Sequence, residues 1–214
     1  TLEQILNEFG RDGAAFPATF AGLSEAESRE KIEAARIRYL DEALAQAPDG
    51  RGKRRIVDKH PFNSERLGLI HLMFPEAPIL RIRRHPLDIV LSCFSQNFRA
   101  ASPWTFSLEH IADYVAAIEE HVAAMRSAVP LNWMDIRYED VVGSPEASVR
   151  AVLAFIGADY DPNCLAFHEN KRVVRTASYE QVTRKLYASS VGRYRQYLPF
   201  IDHAVVSRLE SALA

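Results

Sequence analysis

A stretch near the middle of the chain combines residue types that could bind a phosphate group. The segment Ile79–Phe98 reads ILRIRRHPLDIVLSCFSQNF, and it predicts a buried strand followed by a helix over Leu87–Asn97 with Pro86 at the first helical position. Arg84 lies between strand and helix, and Ser92 follows eight residues later. A guanidinium can hold two phosphate oxygens, a helix N-terminus offers free N–H groups, and a hydroxyl further along the helix can reach back as another donor. The alternative is a strand–helix corner that carries an ordinary surface arginine.

The chain also groups its basic residues near predicted strand ends. Lys59 follows Arg55–Val57, which predicts a short strand. The group comprises Lys53, Arg54, Arg55, Lys59, Arg81, Arg83 and Arg84. Because the net charge is only −2, this grouping favours a local site for an anionic ligand over a uniformly basic surface for nucleic acid or membranes. Solvated strand ends are the alternative for several of these residues.

Strands and helices alternate along the chain. The predicted helices run from the Ser24–Glu27 capping box to Gln46 and over Asn63–Met73 (capped by Asn63), Leu87–Asn97, Leu108–Ala128, Ala147–Ile156 and Asp202–Leu213, and the predicted strands are Arg55–Val57, Ile79–Arg83 and Asn132–Arg137. This alternation predicts an α/β fold whose parallel sheet is covered by helices on both faces. Ligands of such sheets bind at the carboxyl ends of the strands. Lys59, Arg84 and Tyr138 each follow a predicted strand, so we expect them to line one cleft.

Length and composition restrict the class of protein. A chain of 214 residues with 48% hydrophobic residues can form a real core, and its length predicts one domain or one domain with a helical annex. Cys93 and Cys164 are too few for a disulfide framework, and the histidines show no metal-ligand spacing with them. No apolar run approaches the roughly 18 residues that a membrane span needs. No signal peptide is visible, so a cytoplasmic location is expected, although the first residue is not methionine.

Four motifs occur in an order that resembles a known enzyme family. They are VDKHPFN around Lys59, the arginine-to-serine step of the strand–helix corner, WMDIRYEDVV around Tyr138, and VRTASYEQVTRKLYASSVGRY near the C-terminus. They resemble the sulfotransferases that use 3′-phosphoadenosine 5′-phosphosulfate (PAPS), most of all the sulfotransferase domains of bacterial tetratricopeptide-repeat proteins, which are relatives of tyrosylprotein sulfotransferases. The resemblance extends over Leu2–Tyr197. It implies a single domain over residues 1–214 with a three-layer, P-loop NTP-hydrolase-like sulfotransferase fold around a central parallel sheet.

The resemblance also implies roles for individual residues. Lys59 matches the catalytic lysine that contacts the bridging oxygen, and Ser178 matches a serine that steadies the transition state. Arg84 and Ser92 match the ligands of the 3′-phosphate, and Tyr138 matches an adenosine-side contact. The other residues that match nucleotide contacts are Tyr179, Gln181, Arg184 and Arg193. A basic surface loop is the alternative for this last group.

Two further residues bear on the acceptor and on the surroundings of Lys59. Gln96 stands where tyrosylprotein sulfotransferases carry an arginine, which argues against a tyrosine-peptide acceptor. The hydroxyl acceptor is otherwise unidentified. His60 follows Lys59 directly, but neighbours in an extended chain point to opposite faces, so we expect His60 to have a structural or substrate-side role.

Two segments that are typical of the family are not found in the sequence. The phosphosulfate-binding loop, similar to G-x-P-R-S-G-T-T, would precede Thr1, and a segment similar to S-H-P-x-V-x-G-A-G-E-L would follow Leu6. The glutamate of the second segment is the general base that the family is expected to use. A helix of six residues is too short for this position, so we expect a break in the chain between Leu6 and Asn7.

These observations predict a PAPS-dependent sulfotransferase. Such an enzyme moves the sulfuryl group to a hydroxyl acceptor by in-line displacement, releases adenosine 3′,5′-bisphosphate and needs no metal. A P-loop kinase is one alternative, but it would need a Mg²⁺-binding aspartate, and only Asp58 ends a predicted strand. A non-catalytic interaction domain on the same fold is the other alternative. No nucleic-acid partner and no membrane span are expected.

Overall fold

The chain divides into two compact units. The computed structural model describes residues 2–9, 16–46, 55–96, 103–169 and 186–213. The first unit comprises Thr1–Ala77 and His121–Leu131, and the second comprises Pro78–Glu120 and Asn132–Ala214. That the whole chain forms a single sulfotransferase domain stays a prediction.

Helices dominate the described part of the first unit. They are α1 (Leu2–Phe9), α2 (Glu25–Gln46) and α3 (Leu67–Met73), with 3₁₀ turns at Ala18–Phe20 and Pro61–Arg66. Leu2, Ile5 and Phe9 recur at helical spacing, so α1 buries one apolar face. The core of this unit contains Leu2, Ile5, Phe9, Ala35, Leu69 and Met73.

The chain runs without a break through its first helix. α1 includes both Leu6 and Asn7, so the expected break between these residues is wrong. The expectation counted only the helical residues before Asn7, whereas Phe9 continues the apolar face of α1 and is buried. A short helix can be stable when tertiary packing of such a face supports it. That the phosphosulfate-binding loop of the family would precede Thr1 stays a prediction.

The N-terminus of α2 has the predicted capping box. The Ser24 hydroxyl donates to the Glu27 carboxylate at 2.6 Å, and the Ser24 backbone N–H donates to the same oxygen at 2.8 Å. The Glu27 N–H reaches back to the Ser24 hydroxyl oxygen at 3.3 Å. The hydrogen bonds from Ser24 lower the pKa of Glu27. The helix ends at Gln46, as predicted.

The predicted strand before Lys59 is not formed. Residues 55–60 make no ladder with another strand in the described part of the chain. Ile56 is exposed and Val57 is 85% exposed, so neither side chain gains the burial that favours a strand. Two adjacent apolar residues are a weak signal, because pairing with a neighbouring strand decides whether a strand forms.

The helix that follows Lys59 also begins later than predicted. A 3₁₀ turn occupies Pro61–Arg66, and α3 begins at Leu67. His60 caps this turn, because its Nδ1 accepts the Phe62 N–H at 3.3 Å. The prediction that Asn63 is the cap is therefore wrong. Pro61 at the start of the turn moves the cap to the residue before it.

The second unit contains a parallel sheet of two strands. β1 (Ile79–Arg83) pairs with β2 (Trp133–Arg137), from Ile79 opposite Trp133 to Arg83 opposite Arg137. The helices are α4 (Pro86–Phe94), α5 (Leu108–Ala128), α6 (Tyr138–Gly143), α7 (Pro145–Phe155) and α8 (His203–Leu213). The residues of α5 from His121 onward belong to the first unit. The core contains Leu87, Val90, Ile111, Ala112, Val115, Ile201, Val205 and Leu209.

Element limits in this unit follow the sequence closely. β1 and α5 begin and end as predicted, whereas α4 ends at Phe94 instead of Asn97. β1 was expected to be buried, but Leu80 is 37% and Ile82 62% exposed in the structure. Helices combined with parallel strands confirm the α/β class. The three-layer, P-loop-like arrangement stays a prediction.

Candidate functional site

Arg84 and Tyr138 lie side by side at the carboxyl edge of the sheet. Arg84 follows β1 and Tyr138 follows β2. Because the register pairs Arg83 with Arg137, the residue after each of them lies beside the other. The Arg84 guanidinium carbon lies 5.0 Å from the centre of the Tyr138 ring. Burial raises the pKa of Tyr138, and the positive charge of Arg84 opposes part of this shift. The prediction that both residues meet at this edge is confirmed.

The Arg84 side chain is largely withdrawn from solvent, with 21% of it exposed. Its Nη2 donates to the backbone carbonyl of Ser190 and lies 4.0 Å from Oδ2 of Asp88. Its Nε is buried and has no hydrogen-bond partner among the described residues. A buried N–H without a partner is costly, so an acceptor that reached this atom would remove the cost.

Asp88 connects this corner with a turn that is distant in the sequence. Its fully buried carboxylate lies in the first turn of α4. Oδ2 accepts the Gly192 N–H at 2.7 Å, and Oδ1 accepts the Tyr194 N–H at 2.9 Å. Gly192 has a φ of +66°, a left-handed conformation that glycine adopts without strain. The turn therefore presents both N–H groups to one carboxylate.

His85 supports the same corner through its ring and its backbone. Its ring stacks on Tyr194, with the ring centres 3.9 Å apart and the planes 12° apart. Its backbone N–H donates to Glu139 Oε1 at 2.9 Å. Burial favours the neutral form of Glu139, but backbone hydrogen bonds, including the one from His85, and the charge of Arg137 together lower its pKa. Glu139 is thus an anion that joins α6 to the start of α4.

These contacts change what the N-terminus of α4 can offer a ligand. Pro86 has no N–H, the His85 N–H is already bound, and the Asp88 carboxylate balances the positive end of the helix dipole. The sequence predicted that free N–H groups at this end would help to bind an anion. In the structure, Pro86 and Asp88 reduce this contribution, and the Arg84 guanidinium adds a positive charge beside it.

The His85 ring should titrate at lower pH than a free histidine. Burial disfavours its charged form more than the nearby carboxylates of Asp88 and Glu139 favour it, so its pKa is lowered. The unfolded chain binds this proton more tightly, so the stabilisation from neutral His85 is fully present above about pH 6.5 and is lost as the pH falls through the folded pKa. An NMR titration of the ring, assigned with His85→Gln, measures this pKa. A value at or above that of an unfolded peptide would contradict the expectation.

Only part of the basic group found in the sequence belongs to this corner. Arg81 binds both oxygens of Glu119, at 3.2 and 2.5 Å, and Arg83 lies 3.6 Å from the same carboxylate. Glu119 therefore pairs with both cations and offsets part of their charge, and the predicted cationic site at Arg81 and Arg83 stays a prediction. Lys53 and Arg54 lie outside the described residues.

The remaining predicted nucleotide contacts fall into two sets. Ser92 is half-buried on α4. Arg193 is exposed next to Gly192, with its guanidinium carbon 5.7 Å from the centre of the Tyr197 ring. The residues outside the described part of the chain are Ser178, Tyr179, Gln181 and Arg184. The roles of both sets stay predictions.

Lys59 belongs to the first unit and lies beside a cavity in that unit. The cavity has a volume of about 320 Å³, and its lining includes Leu2 and Glu3 at the start of α1. The polar residues that line it are Glu3, Tyr39, Glu42, Gln46, Asp58, Lys59, His60, Asn63 and Arg66. Arg84 belongs to the second unit, so the expectation that Lys59 and Arg84 line one cleft stays a prediction.

The two neighbours of Lys59 in the sequence have partners of their own. Tyr39 donates its hydroxyl to Asp58 Oδ2 at 2.6 Å, and burial together with this carboxylate raises the pKa of Tyr39. His60 accepts the Phe62 N–H and lies against the Phe62 ring, with the ring centres 5.4 Å apart. Asp58 is therefore already hydrogen-bonded. His60 makes a structural contact, which is one of the two roles that the sequence suggested for it.

Sequence reasoning missed Asp88, His85 and Glu139 as parts of the site. An aspartate in the first turn of a helix is common because it complements the helix dipole, so Asp88 carried no distinctive signal. Its two partners lie 104 and 106 positions further along the chain. His85 and Glu139 are joined across 54 positions. No local pattern could have revealed these contacts.

The structure is that of an α/β protein with a positively charged side chain, Arg84, at the carboxyl end of a parallel strand. Ligands of such sheets commonly bind at that end of the strands. Comparison with known proteins gives a more specific class. Residues 3–162 match the model of the sulfotransferase family. The chain belongs to the sulfotransferase family, and this membership supports a sulfotransfer-type function. The family assignment made from the sequence motifs is thereby confirmed.

The structure is also similar to a solved sulfotransferase domain from the curacin biosynthetic pathway. The match has a TM-score of 0.60 at 14% sequence identity. It covers 87% of this chain and 77% of that one. At this identity the match supports the fold.

Two curated proteins match at the sequence level. An uncharacterized protein of Aquifex aeolicus (strain VF5) is 34% identical over 157 residues, which cover 71% of this chain and 20% of that protein. The nodulation protein NoeE of Sinorhizobium fredii (strain NBRC 101917 / NGR234) is 27% identical over 201 residues, which cover 83% of this chain and 47% of that protein. The chain thus spans a fifth of the length of the first relative and about half of the second.

In the described part of the chain, three further features concern metal binding, membrane spans and disulfide bonds. Within it, no three His, Cys, Asp or Glu side chains are grouped so that they could hold a metal ion. No helix within it is long and apolar enough to cross a membrane. Cys93 and Cys164 are free thiols, and burial raises the pKa of Cys93.

Proposed function

We propose that this chain transfers the sulfuryl group of PAPS to a hydroxyl acceptor. The observation that carries the proposal is Arg84, a largely buried guanidinium at the carboxyl end of β1 in a member of the sulfotransferase family. Part of its side chain remains exposed, and a charged donor suits a phosphate oxygen better than it suits a neutral group. We assign the 3′-phosphate of PAPS to Arg84.

The groups around Arg84 suit the nucleotide part of this donor. Tyr138 lies against Arg84 and offers a ring face at the same edge of the sheet. Ser92 stands on α4, and Arg193 stands on the turn that Asp88 holds. We assign Ser92 and Arg193 to phosphate oxygens and Tyr138 to the adenosine. The further nucleotide contacts in this proposal are Tyr179, Gln181 and Arg184.

In the proposed reaction, the acceptor oxygen forms a bond to sulfur while the bond between sulfur and the bridging phosphate oxygen breaks. The acceptor proton passes to a base, and the leaving phosphate gains negative charge. Lys59 neutralises this charge in the proposal, and Ser178 donates a hydrogen bond to the transition state. Protein cations can supply this stabilisation, so the proposal includes no metal cofactor.

Groups of both charges surround Lys59 in its cavity. Its cavity is bordered by the start of α1, where the helix dipole favours negative charge. Arg66 also lines this cavity, with 10% of its side chain exposed and with an Nε that has no hydrogen-bond partner in the described ranges. The cavity also contains the carboxylates of Glu3, Glu42 and Asp58, and Glu3 lies 3.7 Å from Arg66. An anionic ligand here would therefore depend on direct contact with Lys59 and Arg66 and not on a net positive charge of the lining.

Nucleotide binding tests the proposal. In calorimetry, the protein should bind adenosine 3′,5′-bisphosphate without Mg²⁺, and added Mg²⁺ should leave the affinity unchanged. ATP should bind much more weakly, since it has no 3′-phosphate for Arg84 to contact. A kinase would instead bind ATP in a Mg²⁺-dependent manner. That result, or no binding of either nucleotide, would overturn the proposal.

A further inference from the structure

We infer that Asp88 is a positioning residue for the candidate anion site, because it holds Arg84 and the Gly192–Tyr194 turn in one fixed arrangement. The inference rests on the proposed function for the identity of the ligand and on observed contacts for the arrangement. Asp88 acts through Arg84 and through the turn, and its own carboxylate is an unsuitable partner for a phosphate because both are anionic.

The burial of Asp88 indicates that its carboxylate is needed for its contacts with other residues. A buried carboxylate is costly unless hydrogen bonds and opposite charge compensate it. The N–H groups of Gly192 and Tyr194, together with the positive start of α4, provide this compensation. An apolar residue would fill the same place in a helix that only needed packing.

The two oxygens of Asp88 hold different parts of the turn. Oδ1 accepts from Tyr194, whose ring stacks on His85. Oδ2 accepts from Gly192 and also lies 4.0 Å from Arg84 Nη2. One carboxylate oxygen therefore links the turn to the guanidinium itself.

The turn also contacts Arg84 directly. Arg84 Nη2 donates to the carbonyl of Ser190, which lies two residues before Gly192. Contacts thus run in a closed path from the guanidinium to Asp88, on to Gly192, and back through the Ser190 carbonyl. This path holds the guanidinium on its Nη2 side and leaves Nε without a partner in the described part of the chain. A phosphate would then meet a guanidinium whose orientation is set in advance, which lowers the cost of ordering it.

Asp88→Asn tests this inference. Asparagine can accept one of the two N–H groups but directs an NH₂ group toward the other, so one contact with the turn is lost. We expect the affinity for adenosine 3′,5′-bisphosphate to fall about tenfold, by analogy with the loss that follows when the supporting partner of a metal-binding side chain is removed. The affinity for adenosine 5′-monophosphate should stay nearly unchanged, because it has no 3′-phosphate. Amide hydrogen exchange at Gly192 and Tyr194, measured without nucleotide, should become faster.

Two further variants make the test selective. Asp113→Asn is the matched control, because it makes the same chemical change at an exposed carboxylate of α5 that pairs with Arg208 at 3.3 Å. This control should alter neither the nucleotide affinities nor the exchange at the turn. Gly192→Ala leaves Asp88 in place but strains the φ of +66°, so it should reproduce the selective loss. The double variant should lose less than the sum of the single losses, because both changes act on one contact.

The measurements separate this inference from the proposed function. A wild-type protein that binds no bisphosphate would refute the proposed function, whereas faster exchange at the turn in Asp88→Asn would still show that Asp88 anchors the turn. Equal loss of both nucleotides, or unchanged affinities in a folded Asp88→Asn protein, would overturn the inference and leave the proposed function standing. If Asp88→Asn does not fold, Gly192→Ala decides, and unchanged selectivity in that variant would overturn the inference.

Discussion

Replacing Arg84 with alanine is expected to weaken the binding of adenosine 3′,5′-bisphosphate by about one to two decades. This follows from the roughly 1.5–3 kcal/mol that a charge-assisted contact contributes. Adenosine 5′-monophosphate lacks the 3′-phosphate and should lose little affinity from the same change. Calorimetric titration of the wild-type protein and of Arg84→Ala with each nucleotide measures the two losses of affinity.

Arg83→Ala is the matched control for this experiment. Arg83 is the adjacent arginine, but it lies 3.6 Å from Glu119 and ends β1 opposite Arg137. Its removal changes the net charge by the same amount, so a general electrostatic effect would appear in both variants. We expect Arg83→Ala to keep its affinity and its preference for the bisphosphate. If Arg84→Ala weakened both nucleotides equally, Arg84 would be a diffuse cation or a structural residue, and its assignment to the 3′-phosphate would be lost.

Elements with local signals were predicted well from the sequence. The capping box of α2 joins Ser24 and Glu27, which are three residues apart. The limits of α5 follow from a stripe of apolar residues at helical spacing, and Pro86 fits the first position of α4. Each of these signals relates residues that are no more than about one helical turn apart, so it can be read directly from the sequence.

Features that depend on distant partners were predicted less well. Arg55–Val57 has the composition of a strand, but no described strand pairs with it. Arg81 and Arg83 resemble ligand-binding cations until the structure places Glu119, which is 38 positions beyond Arg81, against both. A charge in a sequence has no visible partner, and the partner decides whether the charge is available to a ligand.

The candidate site also contains residues that could be predicted from local signals and residues that could not. Arg84 and Tyr138 could be placed at one edge because each follows a strand of a parallel sheet. Their supports could not be placed, because the hydrogen bonds of Asp88 and Glu139 cross between elements that are far apart in the sequence. The sequence thus predicts which groups could bind a ligand, whereas the structure shows which groups orient them.

Replacing Lys59 with alanine is expected to lower the rate of sulfuryl transfer by roughly two to three decades, the loss typical of removing one group that stabilises developing charge. Nucleotide affinity should change little, because the charge of Lys59 is needed most when the leaving oxygen becomes anionic. Transfer to water requires no identified acceptor, so the release of adenosine 3′,5′-bisphosphate from PAPS measures the rate. Calorimetry with the bisphosphate measures affinity in the same preparation.

Two controls make the Lys59 result specific. Lys59→Arg keeps the positive charge and should retain more of the rate than Lys59→Ala, although arginine differs in shape and in hydrogen-bonding geometry. Lys31→Ala removes another lysine of the first unit, whose Nζ lies 3.2 Å from the Thr19 hydroxyl, and it should leave the rate unchanged. Arg84→Ala and Lys59→Ala then differ in kind, because the first acts on affinity and the second on turnover. If Lys59→Ala lowered affinity as much as turnover, Lys59 would be a binding residue, and the charge that stabilises the leaving oxygen would have to come from another group.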